Sequence, residues 1–111
     1  MKISLFCNCR YMGPSSGGGW PVPADDFSPE LAQESYQITL NHAEIADQLG
    51  WNWVSVAEHH YAPFSISPNP MVMAAAFSQR VKTAKIALMG PDTPILNPVR
   101  VAEEFAMLDT L

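Results

Sequence analysis

Ser28-Pro29, Asn69-Pro70 and Asn97-Pro98 each place a helix-capping residue directly before a proline that opens a run at helical spacing. Proline in the first helical turn has no hydrogen bond to lose, and a Ser or Asn before it can accept from the unpaired amides that follow. Each pair therefore predicts a helix start. Ahead of each start lies a short apolar run suited to a strand: Lys2 to Phe6, Trp53 to Ala57 and Lys85 to Met89. The predicted helices cover about Pro29 to Leu49, Asn69 or Pro70 to Val81, and Pro98 to beyond Asp109, with Gly50 placed to stop the first. Strands alternating with helices give an α/β fold, a parallel sheet with right-handed crossovers. The run Trp53-Val54-Ser55-Val56 is almost continuously apolar, as expected of a strand covered on both faces.

Helical spacing assigns inward faces. Ile38, His42, Ile45, Ala46 and Leu49 form one stripe on the first helix, which makes His42 a packed core histidine. Met71 to Phe77 opens the second helix with small alanines that allow close packing on a sheet. On the third, Val99, Ala102, Phe105 and Ala106 form the expected inward stripe, Arg100 and Glu104 an ordinary surface salt bridge, and Asp109 faces residues beyond this chain.

The net charge is −5, and the six basic residues are scattered from Lys2 to Arg100. Nucleic-acid binding needs a concentrated basic face, so that class is set aside. No apolar run nears the ~20 residues of a membrane span, and the apolar stretch after Lys2 is too short for a secretion signal. A cytoplasmic protein is expected, with Cys7 and Cys9 as reduced thiols sharing one strand face. From about residue 8 to 28 the chain is rich in Gly and Pro and forms a long loop. Its aromatics, Tyr11, Trp20 and Phe27, line a substrate pocket or pack as a lid. Asp25-Asp26 reads as a solvated pair.

A doubly wound dinucleotide-binding sheet would want a Gly-x-Gly-x-x-Gly directly after a strand. Gly17-Gly18-Gly19 lies too far past the first strand and opens no helix. A barrel explains better why all three strand ends carry unusual residues: Cys7-Asn8, Glu58-His59-His60 and Gly90-Pro91-Asp92. Barrel chemistry gathers at that end. Three units cannot close a barrel, which takes eight, so residues 1–111 are read as the N-terminal part of one larger barrel domain. Glu58, His59 and His60 are the leading candidates for chemistry. Neighbouring strand residues point to opposite faces, so the two histidines do not readily chelate one metal ion.

The segments Ala57-Glu58-His59-His60-Tyr61, Ser67-Pro68-Asn69-Pro70-Met71, Pro94 to Glu104 and Met107-Leu108-Asp109 together resemble the N-terminal part of the bacterial luciferase-like flavin-dependent monooxygenases. The resemblance spans nearly the whole chain, apart from a loop around residues 11–33. It implies a TIM-type (β/α)8 barrel of which this chain forms the first three units. It implies that His59 performs acid–base chemistry beside a flavin, a task suited to imidazole near neutral pH. Glu58 and His60 would support the site, with Glu58 equally open to a role as a buried structural carboxylate. Met89 and Gly90 would pass beneath the flavin ring, where the strand departs from regular geometry. The implied reaction uses reduced FMN, delivered by a flavin reductase, and oxygen on a small organic substrate. The phosphate-binding segments lie in later strands, and the full-length form commonly pairs as a homodimer. Two alternatives stay open: a deazaflavin-dependent hydride-transfer enzyme, and a non-catalytic flavin-binding barrel protein.

Overall fold

The computed structural model describes residues 1–14, 21, 23–62 and 64–111. Its elements alternate in the expected order: β1 (Ser4–Cys7), α1 (Pro29–Gln48), β2 (Trp53–Ala57), α2 (Pro70–Ser78), β3 (Lys85–Met89) and α3 (Pro98–Thr110), with short 3-10 turns at Ala24–Asp26 and Thr93–Ile95. The three helix starts form as their caps dictate. Ser28 accepts from the Leu31 amide, Asn69 from Met71 and Val72, and Asn97 from Val99 and Arg100. Gly50 ends α1 at φ +75°, a conformation that favours glycine.

The strands form one parallel sheet in the order β1-β2-β3. Val54 lies beside Leu5 and Ile86, and Val56 beside Cys7 and Leu88. These rows face the helices and build the core with Leu40, Ala43, Met73 and Phe77. The alternate rows, such as Phe6-Ser55-Ala87, lie on the opposite face. There Ser55, buried in the central strand, donates its hydroxyl to the Leu5 carbonyl at 3.0 Å. Cys7 and Cys9 are free, buried thiols, and burial, with Cys9 adjacent, pushes the Cys7 thiol up to about 12. Cys7 thus packs in the core as a neutral thiol.

Several expectations are corrected. The first strand is shifted to Ser4–Cys7, and the second helix ends at Ser78 instead of Val81. Val81 leaves the helix to fill the core. His42 is exposed, and so are Ile45 and Leu49, because α1 turns a different face to the sheet. That face is Ala32, Ser35, Thr39, Leu40, Ala43, Ala46 and Asp47, whose small side chains let the helix backbone approach closely. On α3 no residue is buried. Its half-buried stripe is Val101, Glu104 and Leu108, not Val99, Ala102, Phe105 and Ala106. The helix packs on α2, and among the described residues the sheet ends at β3, which leaves the expected stripe without a strand to cover. The Arg100–Glu104 pair forms as expected, at 3.0 Å. Among the described residues no helix is long and apolar enough to cross a membrane.

Candidate active site

The parallel strands deliver their carboxyl ends to one side of the sheet, and there the segment after β2 meets the segment after β3. Glu58 joins them. One carboxylate oxygen lies 2.9 Å from His60 Nε2, and the other accepts from the Asp92 backbone amide at 2.8 Å. The Glu58 side chain is only 12 % exposed, so the carboxylate is both nearly buried and doubly bound. Burial works against its charge. The His60 hydrogen bond, the Asp92 amide and the charge of His60 outweigh that and hold the carboxyl below its ordinary range. Glu58 thus ties the segment after β2 to the one after β3.

His59 is positioned by its backbone, whose amide donates to the Ser67 carbonyl at 2.9 Å. Its ring meets Phe64 edge-on, with centroids 5.1 Å apart. The imidazole nitrogens have no hydrogen-bond partner among the described residues. Past the end of β2 the two histidines differ in their contacts: the His60 ring is tied to Glu58 and the His59 ring is not. Among the described residues no three His, Cys, Asp or Glu side chains are gathered as a metal-binding group.

Both histidines border a hollow of about 750 Å³ between the loop after β1 and the loop after β2. Tyr11 and Phe27, expected at a pocket or lid, form one wall and stack with centroids 5.6 Å apart. Tyr11 is buried, and its hydroxyl donates to the Asp26 carbonyl and accepts from the Ser28 amide, closing the loop onto the start of α1. The third loop aromatic, Trp20, and the glycines Gly17-Gly18-Gly19 lie outside the described residues. The lining also includes Tyr61, which closes the segment Ala57 to Tyr61 that stood out in the sequence, and Tyr36 and Ile66, neither of which did. Tyr36 came closest to being legible, as a helix aromatic next to the small-residue face. Its hydroxyl donates to the Ile66 carbonyl, and the Ile66 amide donates to the Cys9 carbonyl. Cys9 adopts φ +46° at that point, where β1 has ended and the loop turns away.

Met89 and Gly90 are at the same end of the sheet but do not line the hollow. The strand is regular through Met89, which pairs with Ala57, and the departure begins at Gly90, with φ +72°. A Cβ built on Gly90 would meet nothing within 4 Å. Met89 beside it is half exposed.

The whole chain, residues 1–111, matches the family model described as luciferase-like monooxygenase. It is 28 % identical over 82 residues to the oxygenase component of a flavin-dependent trigonelline monooxygenase from Acinetobacter baylyi, covering 74 % of this chain and 23 % of that protein. It is 32 % identical over 84 residues to the alkanal monooxygenase beta chain of Vibrio harveyi, covering 76 % and 26 %. Among solved structures it is similar to the oxygenating constituent of 3,6-diketocamphane monooxygenase of Pseudomonas putida, a type II Baeyer-Villiger monooxygenase in complex with FMN. The TM-score is 0.74 at 23 % identity, over 99 % of this chain and 26 % of that one, a likeness of fold. The chain spans about a quarter of the length of these proteins.

Proposed function

The chain belongs to the luciferase-like monooxygenase family, and from that premise we propose that it supplies the first three β/α units, as the N-terminal part of a single TIM-type barrel, of a flavin-dependent monooxygenase. The enzyme uses reduced FMN and oxygen on a small organic substrate. A separate reductase delivers the flavin, a reading supported by the relative named as the oxygenase component of a flavin-dependent enzyme. The alkanal monooxygenase relative supports the same reaction class. The protein works in the cytoplasm and pairs through its full-length barrel.

One observation carries the assignment of roles: the His59 imidazole borders the hollow uncommitted, while its neighbour His60 is held by Glu58. A group that must give and take a proton needs free ring nitrogens within reach of the reacting molecule. Glu58 acts as a positioning residue. It fixes His60 and, through the Asp92 amide, the loop that follows β3. The residues present fit the ring portion of a flavin. Met89 offers an exposed apolar side chain, and Gly90 offers open backbone that no Cβ obstructs. When bound, reduced flavin supplies the electrons for oxygen activation, and the protein's share is to orient the reactants, exclude water and move protons.

The test is His59→Ala in the protein with its barrel complete. Single-turnover oxidation of substrate should slow by about 10²–10⁴-fold, the usual worth of an acid–base group, with flavin affinity changed by less than about tenfold. Wild-type rates in that variant would return His59 to a structural role.

A further inference from the structure

The segment that carries His59 does not continue the sheet. β2 ends at Ala57, and the chain runs out through Tyr61 and returns along Ser65, Ile66 and Ser67 before Asn69 caps α2. On its way back it meets His59, whose amide donates to the Ser67 carbonyl at 2.9 Å. Where the imidazole stands therefore depends on where residues 65–67 stand. Ser65 and Ser67 are buried, and both backbone polar groups of Ile66 are bound to other elements. The Ile66 amide donates to the Cys9 carbonyl at 2.9 Å, and the Ile66 carbonyl accepts from the Tyr36 hydroxyl. Cys9 lies just past β1 and Tyr36 lies on α1, and these two anchors are joined in turn. The Ser35 hydroxyl, beside Tyr36, accepts from the Met12 amide at 2.9 Å and donates to the Leu31 carbonyl. The side chains of Tyr36 and Ile66 also pack against the core. Burial, with Cys9 adding to it, pushes the Tyr36 hydroxyl up from its ordinary value, so it stays a hydrogen-bond donor at neutral pH.

Resting on the reading of His59 as the acid–base group, we propose that Tyr36 is a positioning residue for it: the Tyr36 hydroxyl fixes Ile66, the adjoining Ser67 carbonyl fixes the His59 amide, and the imidazole is thereby held in one place at the carboxyl end of the sheet. Two restraints then divide the work. Glu58 holds His60 through its side chain, and the returning segment holds His59 through its backbone. Proton transfer needs heavy atoms within about 2.6–3.2 Å of each other, and a misplacement of about 1 Å can cost about 10²-fold in rate. A helix hydroxyl that never meets the reacting atoms can therefore govern the chemical step.

The experiment is Tyr36→Phe in the protein with its barrel complete, a change that keeps the ring and removes the hydroxyl. Residue-resolved hydrogen exchange without flavin should show the His59 and Ile66 amides exchanging about tenfold faster. Turnover at saturating flavin and substrate should fall by about tenfold with KM within about twofold of wild type. The same change made in His59→Ala should cost nothing further, because it acts through the imidazole. Unchanged exchange at His59 would overturn the proposal, and so would an equal loss in the His59→Ala background. A raised KM with unchanged turnover would also overturn it and make Tyr36 a wall of the hollow that meets substrate directly. If Tyr36→Phe does not fold, wild-type exchange decides: His59 and Ile66 should open together, with protection alike within about threefold, and a His59 amide far less protected than Ile66 would overturn the linkage. Wild-type turnover in His59→Ala would overturn the acid–base reading and the positioning role with it. A slowed His59→Ala beside an unimpaired Tyr36→Phe would overturn the positioning role alone.

Discussion

Asp47, at the last turn of α1, and Glu58, just past β2, are carboxylates that bind loop backbone at opposite ends of the same sheet. Asp47 accepts from the Lys82, Thr83 and Ala84 amides at 2.8, 2.9 and 2.6 Å and from the Thr83 hydroxyl at 2.7 Å. It is buried, and it pins the chain as it enters β3. Glu58 holds one amide, that of Asp92, as the chain leaves β3, and uses its other oxygen on His60, whose side chain is half exposed. The first arrangement is closed, because every partner is backbone or a neighbouring hydroxyl and no ligand has access. The second ends in an accessible imidazole next to the uncommitted His59. The amino-terminal end of the sheet is tied shut by Asp47, and the carboxyl-terminal end, where barrels place their chemistry, carries the residues to which we assign it.

The comparison breaks first at Asp47, if it breaks. Asp47→Ala removes the acceptor of three backbone amides and a hydroxyl in a part-buried turn, and hydrogen bonds to a charged group are worth about 1.5–3 kcal/mol each before relaxation. A net loss of about 3 kcal/mol is expected, read as a lower thermal midpoint together with lost amide-exchange protection at Lys82, Thr83 and Ala84. Unchanged protection at those three amides would remove the anchoring role. Next in size is the acid limb of stability. Burial disfavours the charged form of Asp47, but the Thr83 hydroxyl and then the Ala84, Lys82 and Thr83 amides outweigh it and hold the carboxyl well below the usual range. Unfolded aspartate titrates near about 3.9, so this stabilisation is complete above roughly pH 4 and is lost as pH falls toward the lower folded value. Denaturant unfolding followed from neutral pH to strong acid should show that decline in the wild type and a flatter curve in Asp47→Asn.

The order of elements was legible because its signals are local. A cap and a proline act within one turn, and Asn69 and Asn97 do in the structure what their sequence context predicts. The Glu58-His59-His60 cluster was legible because charged and imidazole side chains at the end of a buried strand have few structural uses. What failed were the inward faces of α1 and α3. On α1 the expected stripe holds at Ala46, while His42, Ile45 and Leu49 are exposed and the helix buries Ser35, Thr39 and Ala43 beside Ala46, since close approach to the sheet favours small side chains. Asp47 escaped notice for a related reason. Its partners are backbone amides of residues 82–84, which leave no trace in side-chain pattern. Tyr36 and Ile66 are likewise brought to the hollow by tertiary contact between α1 and the loop after β2, which spacing along the chain does not encode.

Glu58→Gln sharpens the comparison from the other end. The amide oxygen can still accept from the Asp92 N–H, and the loss is confined to the charge facing His60. Global stability should fall by about 1 kcal/mol or less, well under the Asp47→Ala effect, while the Asp92 amide and the His60 ring resonances shift. The carboxyl of Glu58 is also held below its usual range, so whatever it contributes is present above the unfolded glutamate value near about 4.3 and fades in acid. A cost equal to that of Asp47→Ala, measured by the same denaturant series, would mean that both ends of the sheet are structural anchors.

The smallest effect is expected from Arg100→Ala, which removes a charge pair of ideal helical spacing. Arg100 Nε lies 3.0 Å from Glu104 Oε1, close to the 2.9 and 2.8 Å of the contacts Glu58 makes. The difference is solvent. The Arg100 side chain is 75 % exposed and Glu104 37 %, so water and salt screen the pair and both long side chains give up rotamer freedom to hold it. Glu58 instead is nearly buried, and its amide partner is fixed in place by the backbone. Exposed helical pairs contribute about 0.3–0.5 kcal/mol, and Arg100→Ala should move the denaturation midpoint by no more than that. It should also leave the Asp92 and His59 resonances unchanged, which a double measurement with Glu58→Gln would register side by side. A loss above about 1 kcal/mol would show that distance, and not burial, sets the strength of carboxylate contacts in this fold, and the contrast between its two ends would then need a different cause.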